Sequence, residues 1–371
     1  LYRIAGTDQK ERIPRSYSTQ MQVMINTLND IRTSDKQISG THGIGVLMAN
    51  SLMFQRFPDH NGYDDPQFSS FYGQTLPLLK RGIPVELVHM ENTPFKDTFN
   101  GLQVLVMSYS NMKPMKSEYH NYLADWVKKG GTLVYCGEDV DPYQTVLEWW
   151  NTEGNAYKAP SEHLFEAMGL SRNPGDGTYR FGKGTVIVMR EDPKHFVLKG
   201  GNDRKYFETI ASAYESKTGK KIEIKNNFMV ERGPYTIAAV MDESSSKEPL
   251  KLSGLYIDLF DKDLPVLTVK QINPGEQGYL YDLNKVSGKV KAKVLCGASR
   301  IYDEKVGKQS YSFVAKSPLH TTNVSRVLLP RKPGKVLVNG KAEQPEWDES
   351  SKTLLLSFEN DPAGVNVSIE W

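Results

Sequence analysis

Residues 101–138 read GLQVLVMSYSNMKPMKSEYHNYLADWVKKGGTLVYCGE, and this stretch decides the fold. It opens on an apolar run, Val104-Leu105-Val106-Met107, closed by Ser108 and Ser110. Tyr119, Leu123, Trp126 and Val127 then fall at i, i+4, i+7 and i+8, the apolar stripe of a helix with 3.6 residues per turn. Ser117 stands where an N-cap belongs and Gly130-Gly131 where a C-cap belongs. A second apolar run follows, Thr132 to Cys136. Strand, helix and strand within this length form a βαβ unit. Runs without polar alternation predict parallel strands buried on both faces.

The pattern extends in both directions. Upstream, Gly43 to Met48 reads as a first strand, 51–65 as a polar, aromatic loop, 66–82 as a helix with a break or kink at Pro77, and 84–89 as a second strand. Downstream, 161–170 reads as a short helix with Ser161 and His163 in its cap region. Residues 184–189 read as a fifth strand and 202–218 as a closing helix with Tyr206, Ile210, Ala213 and Tyr214 on one face. The order β-α-β-β-α-β-α-β-α predicts a doubly wound, flavodoxin-like parallel sheet over 41–219.

From 220 to 371 the texture changes to short alternating segments separated by turn signals, the pattern of a β-sandwich. Val338-Asn339-Gly340-Lys341 carries the Asn-Gly signature of a type I′ hairpin. The stretch 302–310 is read either as a long hairpin loop or as a division between two β modules. Before all this, 17–31 reads as one helix with Met21, Met24, Ile25 and Leu28 on its apolar face. A lone helix cannot bury such a face. Residues 1–40 are therefore expected to dock on the next domain or to be the remnant of, or linker from, a domain upstream of Leu1.

Composition bounds the partners. The chain has 371 residues, 39% hydrophobic and 24% charged, an ordinary globular balance with room for two or three domains. A formal net charge of +2 without a basic stripe argues against nucleic acid. No apolar run reaches the ~18–20 residues of a membrane span, and the first residues lack the apolar core of a signal peptide. The two cysteines, Cys136 and Cys296, are assigned to different domains, so no disulfide framework is expected. The sequons at Asn323 and Asn366 read as chance matches on strands. No cofactor and no metal site is expected.

The stretches LPLLKRGIPVELV (76–88), QVLVMS (103–108) and WVKKGGTLVY (126–135) together resemble the trimerisation domain of family 42 glycoside hydrolases, the β-galactosidases. Residues 329–360 resemble the C-terminal β modules of several glycoside hydrolases. The resemblance implies a class I glutamine amidotransferase-like α/β domain followed by a small β domain, with the catalytic barrel and its two glutamates outside this chain. It implies a non-catalytic, oligomerising region of a carbohydrate-active enzyme, a homo-oligomer formed through the α/β domain, and an extracytoplasmic setting. Carbohydrate would be met through the missing catalytic domain.

Several residues are candidates for chemistry. Cys136 falls at a strand end where amidotransferases carry a nucleophile, with one flanking glycine of the two an elbow uses. His195 is its candidate base. The acidic loop that follows, Glu138, Asp139 and Asp141, disfavours a thiolate and itself lies at the ligand-binding edge of an open sheet. Trp149, Trp150 and Tyr157 suit either a subunit interface or a sugar face, and adjacent tryptophans on a helix point about 100° apart. Phe54, Arg56 and His60 follow the first strand at the same edge, where His60 and His89 are candidates to pair. Cysteine-dependent amidohydrolase chemistry and carbohydrate binding by the β domain are the two alternatives to an accessory role.

Overall fold

A computed structural model describes residues 14–31, 36–54, 68–198, 202–286 and 291–371, the side chains of 53 and 54 excepted. The chain divides into two compact units, one of Gly40–Phe228 with Glu243–Ser246, the other of the remaining residues. Helix α1 (Arg15–Ile31) and strand β1 (Lys36–Ile38) come first and belong to the second, β-rich unit.

The α/β unit contains β2 (Ile44–Met48), α2 (Ser69–Leu79), β3 (Glu86–His89), β4 (Val104–Met107), α3 (Glu118–Lys128), β5 (Thr132–Cys136), α4 (Pro160–Ala167), β6 (Gly177–Phe181), β7 (Gly184–Met189) and α5 (Arg204–Thr218). Its sheet runs β3-β2-β4-β5-β7-β6. All neighbours are parallel except β6 and β7, which are antiparallel. Every residue of β4 and β5 is buried, as their unbroken apolar runs require. Alternate side chains feed opposite faces. Leu105, Met107, Leu133 and Tyr135 pack with Leu123 and Val127 of α3 and Phe165 of α4. Val104, Val106, Val134 and Cys136 pack with Leu78 of α2 and Ile210 of α5. The chain builds β3 on one side of β2 and β4 on the other, so the strand order reverses there. The carboxyl ends of the strands near such a reversal form the natural ligand edge.

Three local expectations change. Ser117 has helical φ and ψ and makes no side-chain cap, and Ser161 lies inside α4 rather than before it. Strand β6 is an addition. It is a half-exposed edge strand with no apolar run, and an edge strand pairs on one side only. Helix α2 runs through Pro77, which stands in its last turn.

Gly73 of α2 touches the turn at Pro193. An added Cβ would lie 1.8 Å from the Pro193 carbonyl oxygen. Overpacking at a backbone contact costs up to about 3 kcal/mol, and the better helix propensity of alanine returns about 1 kcal/mol. Gly73→Ala is therefore expected to lose about 2 kcal/mol in denaturant unfolding. An unchanged midpoint would mean that α2 stands further from this turn.

The β-rich unit continues with β8 (Phe228–Arg232), β9 (Tyr235–Ala239), β10 (Leu250–Asp258), β11 (Val266–Ile272) and β12 (Gln277–Asp282). With β1 they form one sheet, ordered β1-β8-β9-β12-β10-β11. Then come β13 (Lys293–Gly297), β14 (Arg300–Val306), β15 (Ser310–Lys316), β16 (Thr322–Leu328), β17 (Lys335–Val338), β18 (Lys341–Ala342), β19 (Glu346–Asp348), β20 (Thr353–Glu359) and β21 (Val365–Glu370). These divide between a sheet ordered β13-β16-β20-β19 and one ordered β14-β15-β21-β17-β18, and both contribute to one apolar cluster. Asn339 and Gly340 have φ of 48° and 78°, the left-handed pair that the Asn-Gly hairpin requires.

Residues 302–310 are not a division. β14 and β15 pair antiparallel from Arg300↔Lys316 to Val306↔Tyr311, so the break is a hairpin, and the change of sheet falls between β12 and β13. Helix α1 packs within the β-rich unit, against β13 and β16. It buries Thr19, Val23, Thr27 and Ile31, while Met21, Ile25 and Leu28 are exposed. Val23 and Ile31 join Tyr235, Ile257, Leu295 and Cys296 in one core. The Thr19 hydroxyl donates to the Thr322 carbonyl at 2.9 Å, which lets a polar residue face a sheet.

Candidate functional site

The carboxyl ends of β4, β5 and β7 carry a dense polar network. Gly137, at φ 154°, passes close under β4, where an added Cβ would lie 3.3 Å from the Ser108 and Ser110 hydroxyl oxygens. Asp139 follows in the left-handed region at φ 60°, a conformation that aspartate tolerates better than most residues. Its carboxylate accepts from the Tyr135 phenol, from Ser161 Oγ at 2.7 Å and from Arg190 at 2.7 Å. Burial raises this carboxyl above the usual carboxylate range, while Tyr135, Ser161 and Arg190 pull it back. Arg190 also donates to the carbonyls of Gly137 and Pro174, and its guanidinium lies 5.2 Å from the Phe165 ring centroid.

The neighbouring carboxylates are equally occupied. Asp141 accepts from Lys113 Nζ at 2.7 Å, from the Gln144 amide at 3.1 Å and from the Tyr143 N–H at 3.0 Å. Asp192 accepts from Ser110 Oγ at 2.5 Å and from the Glu138 N–H at 3.0 Å. Glu138 itself is exposed. Among the described residues no group of three or more histidine, cysteine, aspartate or glutamate side chains is arranged to hold a metal ion. The network joins β4, β5, β7 and α4 and leaves few free polar atoms at the edge.

Beside it runs a second chain of groups. The Tyr109 phenol bonds His120 Nε2 at 2.6 Å, and His120 Nδ1 bonds His163 Nδ1 at 2.8 Å. Tyr109 and His120 are fully buried, and His163 is half-buried. Two imidazoles joined through Nδ1 need one donor and one acceptor. Tyr109 has no other acceptor among the described residues, so its proton goes to His120 Nε2. His120 Nδ1–H then donates to His163, whose Nε2 carries the remaining proton. Burial lowers the pKa of both imidazoles, each further affected by its surroundings: His163 lowers His120, and Glu166 partly restores His163.

Aromatic rings frame this chain. Trp149 stands edge-on to both imidazoles, at centroid distances of 5.6 and 5.3 Å, and Tyr157 lies 5.3 Å from His163. Trp150 is buried and donates to the Gln144 carbonyl at 3.0 Å, while Trp149 is half-buried and donates to Pro114 at 2.9 Å. The two indoles differ in burial, and both stand in a turn rather than on the helix expected from the sequence. Tyr157 donates to Glu166 at 2.5 Å, with the Arg172 guanidinium 4.6 Å from its ring centroid.

The other candidates separate. The Cys136 thiol is completely buried, 4.0 Å from the Met189 sulfur, and burial with nearby Glu191 and Asp176 pushes its pKa far up. His195 is exposed on a short turn after β7, and no hydrogen bond joins the two. Arg56 and His60 lie outside the described residues, as does the side chain of Phe54, so the expected pairing of His60 with His89 falls outside as well. His89 ends β3 and is half-buried.

Sequence reading missed His120 and His163 as partners. The available signal was that His120 shares a stripe with Leu123, Ala124 and Val127, a histidine on an apolar face. Its contact with His163 spans 43 residues, which no local pattern encodes.

No protein-family model and no curated protein matches the chain. Among solved structures it is similar to the beta-galactosidase from Bacillus circulans sp. alkalophilus, at 10% identity and TM-score 0.40, over 66% of this chain and 42% of that one. It is similar to Gan42B, a GH42 beta-galactosidase from G. stearothermophilus, at 13% identity and TM-score 0.38, over 65% and 40% of the two chains. A third is the beta-galactosidase from the psychrophilic Marinomonas ef1, at 11% identity and TM-score 0.39, over 71% and 41%. The chain spans about two fifths of the length of these neighbours.

Proposed function

We propose that this chain is a non-catalytic accessory region of a carbohydrate-active, β-galactosidase-like glycoside hydrolase, self-associating through its α/β unit, with bond cleavage carried out by residues outside it. On this reading the α/β unit is a doubly wound, glutamine amidotransferase-like layer and the later strands form β-sandwich architecture. The resemblance of 76–88, 103–108 and 126–135 to the family 42 trimerisation domain supports the assignment. The observation that carries the non-catalytic part is the state of Cys136: a thiol sealed in an apolar cluster, without an imidazole in hydrogen-bond reach among the described residues. A nucleophilic cysteine needs thiolate character and access. The buried edge carboxylates Asp139, Asp141 and Asp192 are held by internal donors, so these three do not form a free acid and base pair.

Iodoacetamide tests this. Cys136 is expected to stay unmodified in the folded chain and to react once the chain is unfolded in denaturant, and the isolated chain is expected to turn over neither aryl glycosides nor glutamine. Sedimentation is expected to show a self-associated species. Rapid alkylation of Cys136 in the folded state would favour the cysteine hydrolase instead, and a clean monomer would remove the oligomerising role.

A further inference from the structure

In the β-rich unit, the last turns of α1 and strands β13 and β14 enclose a groove of about 360 Å³. Its polar lining includes Asn26, Asn29, Asp30, Lys293, Arg300 and Tyr302. Asp30 accepts the proton of the buried Tyr235 phenol at 2.7 Å through Oδ2, which holds the carboxylate in place and leaves Oδ1 without a donor among the described residues. Asn26 gives its amide N–H to the Gly297 carbonyl at 2.9 Å and keeps its own oxygen for another partner. Asn29, Lys293 and Arg300 have no side-chain hydrogen bond or ion pair among the described residues. Asp30 lines the same groove as these two cations, yet no ion pair joins them. The groove thus sets donors and acceptors side by side, with Asn29, Asp30 and Arg300 open to solvent and a 43% exposed tyrosine ring at its rim.

This combination selects a ligand class. A simple anion would meet Asp30, and a simple cation would meet Lys293 and Arg300. A neutral polyhydroxylated ring satisfies all of them, because each hydroxyl both donates and accepts, and its C–H face suits the tyrosine ring. At about 360 Å³ the groove is at the small end of the range for small-ligand sites. We infer that this groove is a binding site for a neutral sugar. The argument uses the groove's own chemistry and stands apart from the accessory role proposed above.

The test is ligand-observed NMR and calorimetry on the full chain, with methyl β-galactoside, methyl β-glucoside, methyl α-mannoside and lactose, and with zwitterionic alanine as comparator. At least one sugar is expected to bind saturably with a Kd of about 1 mM, the range of a shallow, solvent-open site. Arg300→Ala and Tyr302→Ala are each expected to weaken that binding about tenfold, because each removes a contact worth roughly 1.4 kcal/mol. Both positions are at the surface, and an unchanged melting curve certifies the fold of each variant. No saturation with any sugar, binding indifferent to both substitutions, or preference for alanine would each overturn the inference. Reactivity of Cys136 would overturn the accessory role and leave this site untouched.

Discussion

Arg190→Met is expected to lower the unfolding free energy by about 3–5 kcal/mol, measured by urea denaturation at neutral pH. The guanidinium and the Asp139 carboxylate have side-chain exposures of 18% and 9%, so water screens the pair poorly. Removing the cation leaves a buried carboxylate with only the Tyr135 and Ser161 hydroxyls to hold it. It also frees the Gly137 and Pro174 carbonyls that Arg190 now caps. The size of the loss therefore reflects an abandoned charge more than the worth of the pair itself. The double variant Arg190→Met with Asp139→Asn is expected to recover more than half of it, since asparagine carries no charge and tolerates the left-handed backbone at this position. A single-variant loss below about 1 kcal/mol, the level of a surface ion pair, would show that the network is not closed to water.

The second large effect is on acid stability. Burial depresses both imidazoles of the His120–His163 pair. The folded chain therefore refuses protons that the unfolded chain accepts. The stabilisation is complete above the ordinary imidazole pKa of about 6.5 and is lost progressively as the pH falls below it, with a limiting slope of about 1.4 kcal/mol per pH unit for each histidine. His163, half-buried, is expected to contribute the smaller share. The geometry explains the sign. A proton on His163 Nδ1 would face the Nδ1–H of His120, and turning His120 to its other tautomer would leave the Tyr109 hydroxyl without its acceptor. The groups facing the pair are Tyr109 just after β4, Trp149 from the connection between β5 and α4, and Tyr157 and Glu166 around α4. Only Glu166 favours the charged form. Unfolding free energies between pH 7 and 5 should fall more steeply for the native chain than for His120→Asn with His163→Asn. Parallel curves for the two proteins would sink the assignment.

What the sequence disclosed follows from how locally each feature is written. The 104–136 unit was legible because two unbroken apolar runs flank one amphipathic stripe, and burial on both faces leaves no other reading. The turn at Asn339-Gly340 was legible because two consecutive left-handed residues demand that dipeptide. Strand β6 was not, since an edge strand with one solvated side carries neither a run nor a clean alternation. Of the face read as inward in helix α1, Met24 packs on the core while Met21, Ile25 and Leu28 are exposed. Its methionines outweighed Thr19 and Thr27, whose hydroxyls bond backbone carbonyls and so lie buried. At the candidate site, the acidic loop was visible as residues, but its partners Arg190, Ser161 and Ser110 come from distant elements. Only the folded sheet makes Asp139, Asp141 and Asp192 into fasteners.

The pairing of β1 with β8 reaches further than its three residue pairs suggest. Ser39 donates to the Met229 carbonyl at 3.0 Å, so the chain departs and re-enters the β-rich unit at one spot. The stretch from Gly40 to Phe228 is therefore a cassette spliced into a host that has a short segment before it and a long one after it, with Glu243–Ser246 grouped with the cassette as well. A host built this way is reunited by a short turn between neighbouring strands, and such a junction is where nature and engineers alike exchange whole modules without unpicking the surrounding core.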